Sequence, residues 1–282
     1  MKISDFNIDT QEVSPQVIVA TDNNFYNVNA AAIALDNFVV VIDTLLYPVQ
    51  SRQMREYVHK EFNLPIKYVF FTHIDGDHVF GIDAFQDAEI IVSHHLTNRI
   101  KEHLKGDWSK EEFDDWKKQK PEQAEAIAEI VVREPDIEFE KKYTITDGSH
   151  RVEIYHSGGH TSCSSWAYFP TDKVVFTGYN LASYDWPYIS DQTGNLDAWI
   201  ESFEHIMSLD VDIVVPGHGK VVDKSHLNEH LEYLKQIRET ILKAIEDGKT
   251  AGDVEFPKFY DPAADWQIPR ALEHLFKFYS QS

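Results

Sequence analysis

Cysteine is almost missing from this chain: Cys163 is the only one in 282 residues. A lone thiol excludes an internal disulfide and any cysteine-rich zinc site, and it fits a reducing compartment. Basic residues are scarce as well, with 26 Lys and Arg against 47 Asp and Glu for a net charge of −21. Nucleic-acid phosphates and anionic membranes would be repelled by such a surface, so neither is an expected partner. Long apolar runs are absent; stretches such as Phe38 to Ile42 are far too short to span a bilayer. Met1 to Gln16 is polar and mixed in charge, without the basic start and apolar run of a signal peptide. The expectation is therefore a cytoplasmic protein. No G-x-S-x-G and no phosphate-binding glycine loop occurs, which leaves a serine hydrolase or a P-loop enzyme unsupported.

What is present is apolar enough to fold: 43% hydrophobic and 13% aromatic residues rule out a disordered acidic chain. Short runs rich in Val, Ile and Ala at Gln16–Ala20, Phe25–Leu35 and Phe38–Ile42 read as strands, with Asp36-Asn37 as a hairpin turn. Val49 to Phe62 reads as a helix and Lys67–Phe71 as a buried strand. Further strands are expected at Ala88–Ser93, Arg151–His156, Trp166–Phe169, Lys173–Thr177 and Ile213–Val215. Leu227, Leu231, Leu234, Ile237, Ile241 and Ile245 step by three or four, the stripe of an amphipathic helix. The reading is one domain over 1–282, two sheets face to face with helices outside. Around 107–140 lies a charged segment with 12 acidic and 5 basic residues, expected to be a mostly helical surface insertion. Around 250–282 the chain is aromatic-rich, a C-terminal extension fit to cap the body.

The most informative string is Thr72-His73-Ile74-Asp75-Gly76-Asp77-His78 at the end of an expected buried strand. His73 and Asp75 alternate and so project to one side, while Gly76 lets the chain turn and bring Asp77 and His78 inward. Such a loop can serve two metal ions. Two more histidines, His160 in Gly158-Gly159-His160-Thr161 and His218 in Pro216-Gly217-His218-Gly219, also follow strands, as does Phe176-Thr177-Gly178-Tyr179.

These motifs resemble the metallo-β-lactamase fold superfamily, whose signatures are T-H-x-H-x-D-H, G-H-T, F-T-G-D and P-G-H-G. Here they stand as T-H-I-D-G-D-H, G-H-T, F-T-G-Y and P-G-H-G, in the same order, and Val39 to Thr44 is similar to the family's early strand and D-T turn. The resemblance covers about Asn27 to Lys243. It implies an α/β fold, a four-layer αββα sandwich with metals at one edge of the sheets. It also implies one metal held by His73, Asp75 and His160 and another by Asp77, His78 and His218. Two positions depart from the signature: Asp75 stands for a histidine, and Tyr179 for the aspartate that bridges both metals. A carboxylate at the Asp75 position resembles the family's flavodiiron proteins. Each set is then two histidines and one carboxylate, suited to Zn²⁺, Fe²⁺ or Mn²⁺.

The function implied is a metal-dependent hydrolase of an ester, thioester, lactone or related bond in a small molecule. One or two divalent ions, zinc first and iron or manganese as alternatives, would activate water. Asp77 and Tyr179 are the expected catalytic residues, Asp77 as base or water-orienting group and Tyr179 as acid or oxyanion donor. Tyr179 keeps two other readings, a phenolate ligand or a packing residue. Two other functions stay open, a non-haem iron oxidoreductase similar to the persulfide dioxygenases and a degenerate binding protein. Asp43 and Thr72 are expected to orient the ligating histidines, and Tyr184, Trp186 and Tyr188 either to line a substrate pocket or to pack under a loop. Cys163 is expected to be a small buried hydrophobe, His94 and His95 to be structural or exposed, and His156 to sit in the core or support the site without ligating. Oligomeric state stays open.

Overall fold

The computed structural model describes residues 5–189, 191–262 and 264–280. The first half builds one sheet in chain order: β1 (Ile8–Ser14), β2 (Val17–Asp22), β3 (Asn29–Ala34), β4 (Val39–Ile42), then after helix α1 (Pro48–Phe62) strand β5 (Ile66–Phe70). A one-turn helix α2 (Gly76–Val79) leads to β6 (Glu89–Ser93). Helices α3 (His94–His103), α4 (Lys110–Gln119) and α5 (Ala124–Ala128) precede β7 (Ile137–Phe139). Strands β1 to β4 are an antiparallel meander; β4 to β7 pair in parallel, each crossover carrying helix.

The second sheet holds β8 (Lys142–Asp147), β9 (His150–His156), β10 (Ser165–Phe169), β11 (Val174–Phe176) and β12 (Ile213–Val215), in the order β12-β11-β10-β9-β8. Helix α6 (Leu196–Ser208) connects the parallel pair β11 and β12, and α7 (Lys224–Glu246) and α8 (Gln267–Ser280) close the chain.

Side-chain alternation fixes the layers. Along β4, Val39 and Val41 join the core under the first helical layer, while Val40 and Ile42 join the core between the sheets. Along β10, Ala167 and Phe169 face the first sheet, and Trp166 and Tyr168 face α6 and α7. Burial on both faces is why these strands read as continuous apolar runs. The result is the αββα sandwich. The α7 stripe, Leu227, Leu231, Leu234, Ile237 and Ile241, is buried, and Asp223 caps the helix by accepting from the backbone N–H of Ser225 and His226. In the aromatic-rich C-terminal region, α8 lays Ala271, Leu272 and Leu275 into the same core.

Three edge strands differ from the sequence expectation. β1 and β8 lie where no strand is expected, and β7 falls within the charged segment read as mostly helical. All three sit at sheet edges; β1 and β8 are half-exposed and largely polar, and β7 is only three residues long, so the apolar pattern does not single them out. No helix among the described residues is long and apolar enough to cross a membrane.

Candidate metal centre

Four strand ends meet at one edge of the sandwich. β5 runs into His73 and Asp75, and α2 turns Asp77 and His78 back toward them. His160 comes from the β9–β10 loop, Tyr179 from the short 3-10 turn Gly178–Asn180 after β11, and His218 from the loop after β12. His73, Asp75 and His160 form one group of possible donors and Asp77, His78 and His218 a second; within each group the donor atoms lie within 4.8 Å of one another. A third, overlapping group joins Asp43 to His73 and His78.

All four imidazoles are held by Nδ1 and aim Nε2 at the centre. His160 Nδ1 donates to the Tyr188 carbonyl at 3.0 Å and His218 Nδ1 to the Tyr26 carbonyl at 3.1 Å. A carbonyl only accepts, so both rings carry a proton on Nδ1, which leaves Nε2 as the atom available to a cation. His78 Nδ1 lies 2.9 Å from Asp43 Oδ2, again as donor. The Thr72 hydroxyl donates to Asp43 at 2.8 Å and so has a lone pair for His73 Nδ1, 2.9 Å away. Anchoring of this kind is how ligating histidines are oriented.

The centre has the chemistry of a cation site. His73 Nε2 is buried with no hydrogen-bond partner, a cost that a bound cation would remove. Asp75 Oδ2 lies 3.3 Å from His160 Nε2 and 3.6 Å from His73 Nε2, and Asp77 Oδ2 3.6 Å from His218 Nε2. His78 Nε2 and His218 Nε2 face each other at 3.1 Å, which two lone pairs cannot do without a proton or a cation between them. Without metal, that proton belongs to His78. Burial pulls its pKa down, but Asp77 and Asp43 outweigh burial and lift it to about 9. Burial drops His218 to about 4, so it stays neutral and accepts. Burial likewise lowers His73. Burial alone would raise Asp75, yet His73 and His160 hold its carboxyl well below the usual range.

The folded pKa of His78 lies above its unfolded value, so its proton stabilises metal-free protein below about pH 6.5, and that contribution is lost as pH rises toward 9. Metal must displace the proton. Divalent-ion uptake at pH 7.5 is therefore expected to release about one proton from this pair, read by calorimetry in buffers of different ionisation enthalpy. Proton release near zero would show that His78 is not a ligand.

Asp43 is the hub beneath the centre. It is buried, with a left-handed φ of 58°, and accepts from Thr72 N–H, Thr72 Oγ1 and His78 Nδ1. A strained backbone persists where its surroundings over-determine it. Asp43→Asn would set an amide NH₂ against one of these donors in either flip. It is expected to weaken metal affinity about 10–100-fold, measured by competition with a chromophoric chelator.

Asn180 had no role in the sequence reading, yet it clamps the His160 loop. Its Oδ1 accepts from His160 N–H at 2.9 Å and its Nδ2 donates to the Gly158 carbonyl at 3.1 Å. Its place two residues after the F-T-G triplet was the available signal. Gly217 explains one motif glycine: a Cβ there would lie 2.6 Å from the Gly178 backbone, so only glycine lets the His218 and Tyr179 loops touch.

Tyr179 packs among the ligand candidates, its ring centroid 3.9 Å from that of His218 and 4.5 Å from that of His160. Burial, with Asp77 and Asp75 adding to it, pushes its phenol well above the ordinary range, so it is a neutral donor in metal-free protein. Asp75, Asp77, Tyr179 and His218 floor a cleft of about 720 Å³. Of the three aromatics read as lining a pocket or packing under a loop, Tyr188 lines this cleft, stacked on Tyr179 at 5.9 Å. Trp186 packs in the second core, donating to Tyr233 at 2.9 Å, and Tyr184 packs on His226; neither lines this cleft. Cys163 is buried in the first core; His156 stacks on His95 at 4.3 Å, and the exposed His94 pairs with Glu138.

The sequence model of the metallo-beta-lactamase superfamily matches residues 23–218. Among curated proteins, the chain is 27% identical over 219 residues to the 2,4-dinitroanisole O-demethylase subunit alpha of a Nocardioides species, covering 74% of this chain but 57% of that subunit's length. It is 23% identical to a metallo-beta-lactamase type 2 of a Bacillus species, over 81% of this chain and 82% of that one. Among solved structures, a metallo-beta-lactamase from Pontibacter korlensis superposes with a TM-score of 0.65 at 19% identity, covering 81% of this chain and 99% of that one. The fold, the two donor groups and a family match over more than half of its length place this chain in the metallo-β-lactamase superfamily, whose members are generally metal-dependent hydrolases.

Proposed function

We propose that this protein is a metal-dependent hydrolase that cleaves an ester, thioester, lactone or related bond in a small molecule. The observation that carries the reading is the convergence of four imidazole Nε2 atoms and two carboxylates at the base of one cleft, which Asp75, Asp77, His218 and the protonated Tyr179 phenol line. His73, Asp75 and His160 would hold one divalent ion and Asp77, His78 and His218 a second, with zinc the first expectation for two-histidine, one-carboxylate sets. Bound there, such ions supply Lewis acidity toward a carbonyl oxygen and lower the pKa of water to about 7. Asp77, whose side chain is 17% exposed at the cleft floor, orients the attacking water and takes up its proton. Tyr179 donates its hydroxyl proton in a hydrogen bond to the oxygen on which negative charge develops. Tyr188 fixes both partners: its ring stacks on Tyr179 and its carbonyl holds His160.

The aromatic walls fit a substrate with a flat ring, in keeping with a relative named for demethylating 2,4-dinitroanisole. The named relatives give no support to an iron oxidoreductase. The single thiol, buried and unpaired, agrees with a reducing compartment such as the cytoplasm. The test is a panel of aryl esters, thioesters and lactones assayed with metal-loaded and chelator-stripped protein. Turnover that disappears on stripping and returns with zinc supports the reading; no turnover of any class by fully loaded protein would refute it.

A further inference from the structure

The mouth of the cleft differs in character from its floor. Asp185 and Asp191 line it, and neither belongs to a metal-binding group. Asp185 accepts only from the Trp186 N–H, and Asp191 from Thr193, among the described residues. No lysine or arginine lines the cleft among the described residues. Two guanidiniums lie outside the lining: Arg270, 5.8 Å over the Trp266 ring, and Arg99, which donates to the Thr193 hydroxyl that in turn donates to Asp191. Between the acids stand aromatic faces. Tyr26 and Trp266 are 68% and 49% exposed, and Tyr188 meets Trp266 edge-on at 6.1 Å. Large exposed aromatics beside a reactive cleft mark a binding surface.

We infer that the cleft mouth selects substrates by charge, accepting neutral and cationic groups, quaternary ammonium above all, and excluding anionic ones. The inference rests on the hydrolase reading only for what happens at the floor. Divalent ions held there would offset Asp75 and Asp77 and tolerate an oxyanion. Neither Asp185 nor Asp191 belongs to a donor group, so the remote end of a substrate would meet carboxylates that no metal neutralises. Aromatic faces with nearby carboxylates attract a cation twice, through ring quadrupoles and through Coulomb attraction.

The test separates binding from turnover. Three unreactive benzyl alcohols, bearing para-trimethylammonium, para-methyl or para-carboxylate, are titrated by calorimetry into zinc-loaded protein at low salt. Matched 4-substituted phenyl acetates are then assayed for kcat/KM. The cationic ligand is expected to bind at least tenfold more tightly than the anionic one, a gap that narrows as salt rises. Asp185→Asn with Asp191→Asn is expected to weaken the cationic ligand and tighten the anionic one, opposite shifts that a misfolded variant cannot produce. Equal or tighter binding of the carboxylate, or no measurable binding of any of the three, overturns the inference, as does a double variant without these opposed shifts. If the ligands rank as expected while no acetate is turned over, charge selection stands and the hydrolase reading fails.

Discussion

His78→Ala is expected to remove one equivalent of metal and to lower kcat/KM by a factor of about 10³, corresponding to about 4 kcal/mol of lost transition-state stabilisation. The size of the effect follows from where His78 stands. It is fully buried, its Nδ1 is spent on Asp43, and its Nε2 faces His218 and Asp77 at 3.1 and 3.9 Å. Removing the ring takes a donor from one group and leaves Asp43 with one donor fewer. The fold is expected to survive, because Asp43 keeps its two hydrogen bonds from Thr72. Elemental analysis, steady-state kinetics and circular dichroism on one preparation check all three points. Unchanged metal content with activity within tenfold of the parent would show that His78 is no ligand.

Tyr179→Phe is expected to lower kcat by about 10²–10³ while leaving metal content unchanged. The ring contacts to His218 and His160 are kept by phenylalanine, so packing is preserved and only the hydroxyl is lost. Burial and the acids beside it hold the phenol protonated in metal-free protein, which favours a hydrogen-bond donor over a phenolate ligand. The variant separates the three roles open to this residue. A phenolate ligand would lose metal with the hydroxyl, and a packing residue would lose neither metal nor rate. An iron-loaded sample adds a spectroscopic check, since a phenolate–iron band absent from the parent protein agrees with the donor role.

The donor set was legible because its residues stand in short motifs at the ends of apolar strands. His73, Asp75, Asp77, His78, His160 and His218 meet in the structure in the two groups that the resemblance implied. Asp43 and Thr72 were legible for the same reason, lying at the ends of β4 and β5. Asn180 was not, because an asparagine's two hydrogen bonds to another loop leave no periodic mark. Nor were the walls of the cleft. Tyr26 and Trp266 come from segments far apart in sequence, and nothing local says that an exposed aromatic faces a site. The edge strands escaped because their partners are on one side only: half-exposed polar residues serve in β1 and β8, and β7 is too short to carry a pattern. The buried strands β4 and β10 carry apolar side chains on both faces and announce themselves.

The most direct test of the whole account is metal analysis by plasma mass spectrometry of protein purified without added metal, then stripped and reloaded with zinc. Parallel samples carry Asp75→Asn with His160→Ala, or His78→Ala with His218→Ala. The account predicts up to two divalent ions per chain in the parent, one fewer in each double variant, and hydrolysis that follows occupancy. A parent protein that binds no divalent ion after reloading, or hydrolyses equally well after stripping, would contradict it.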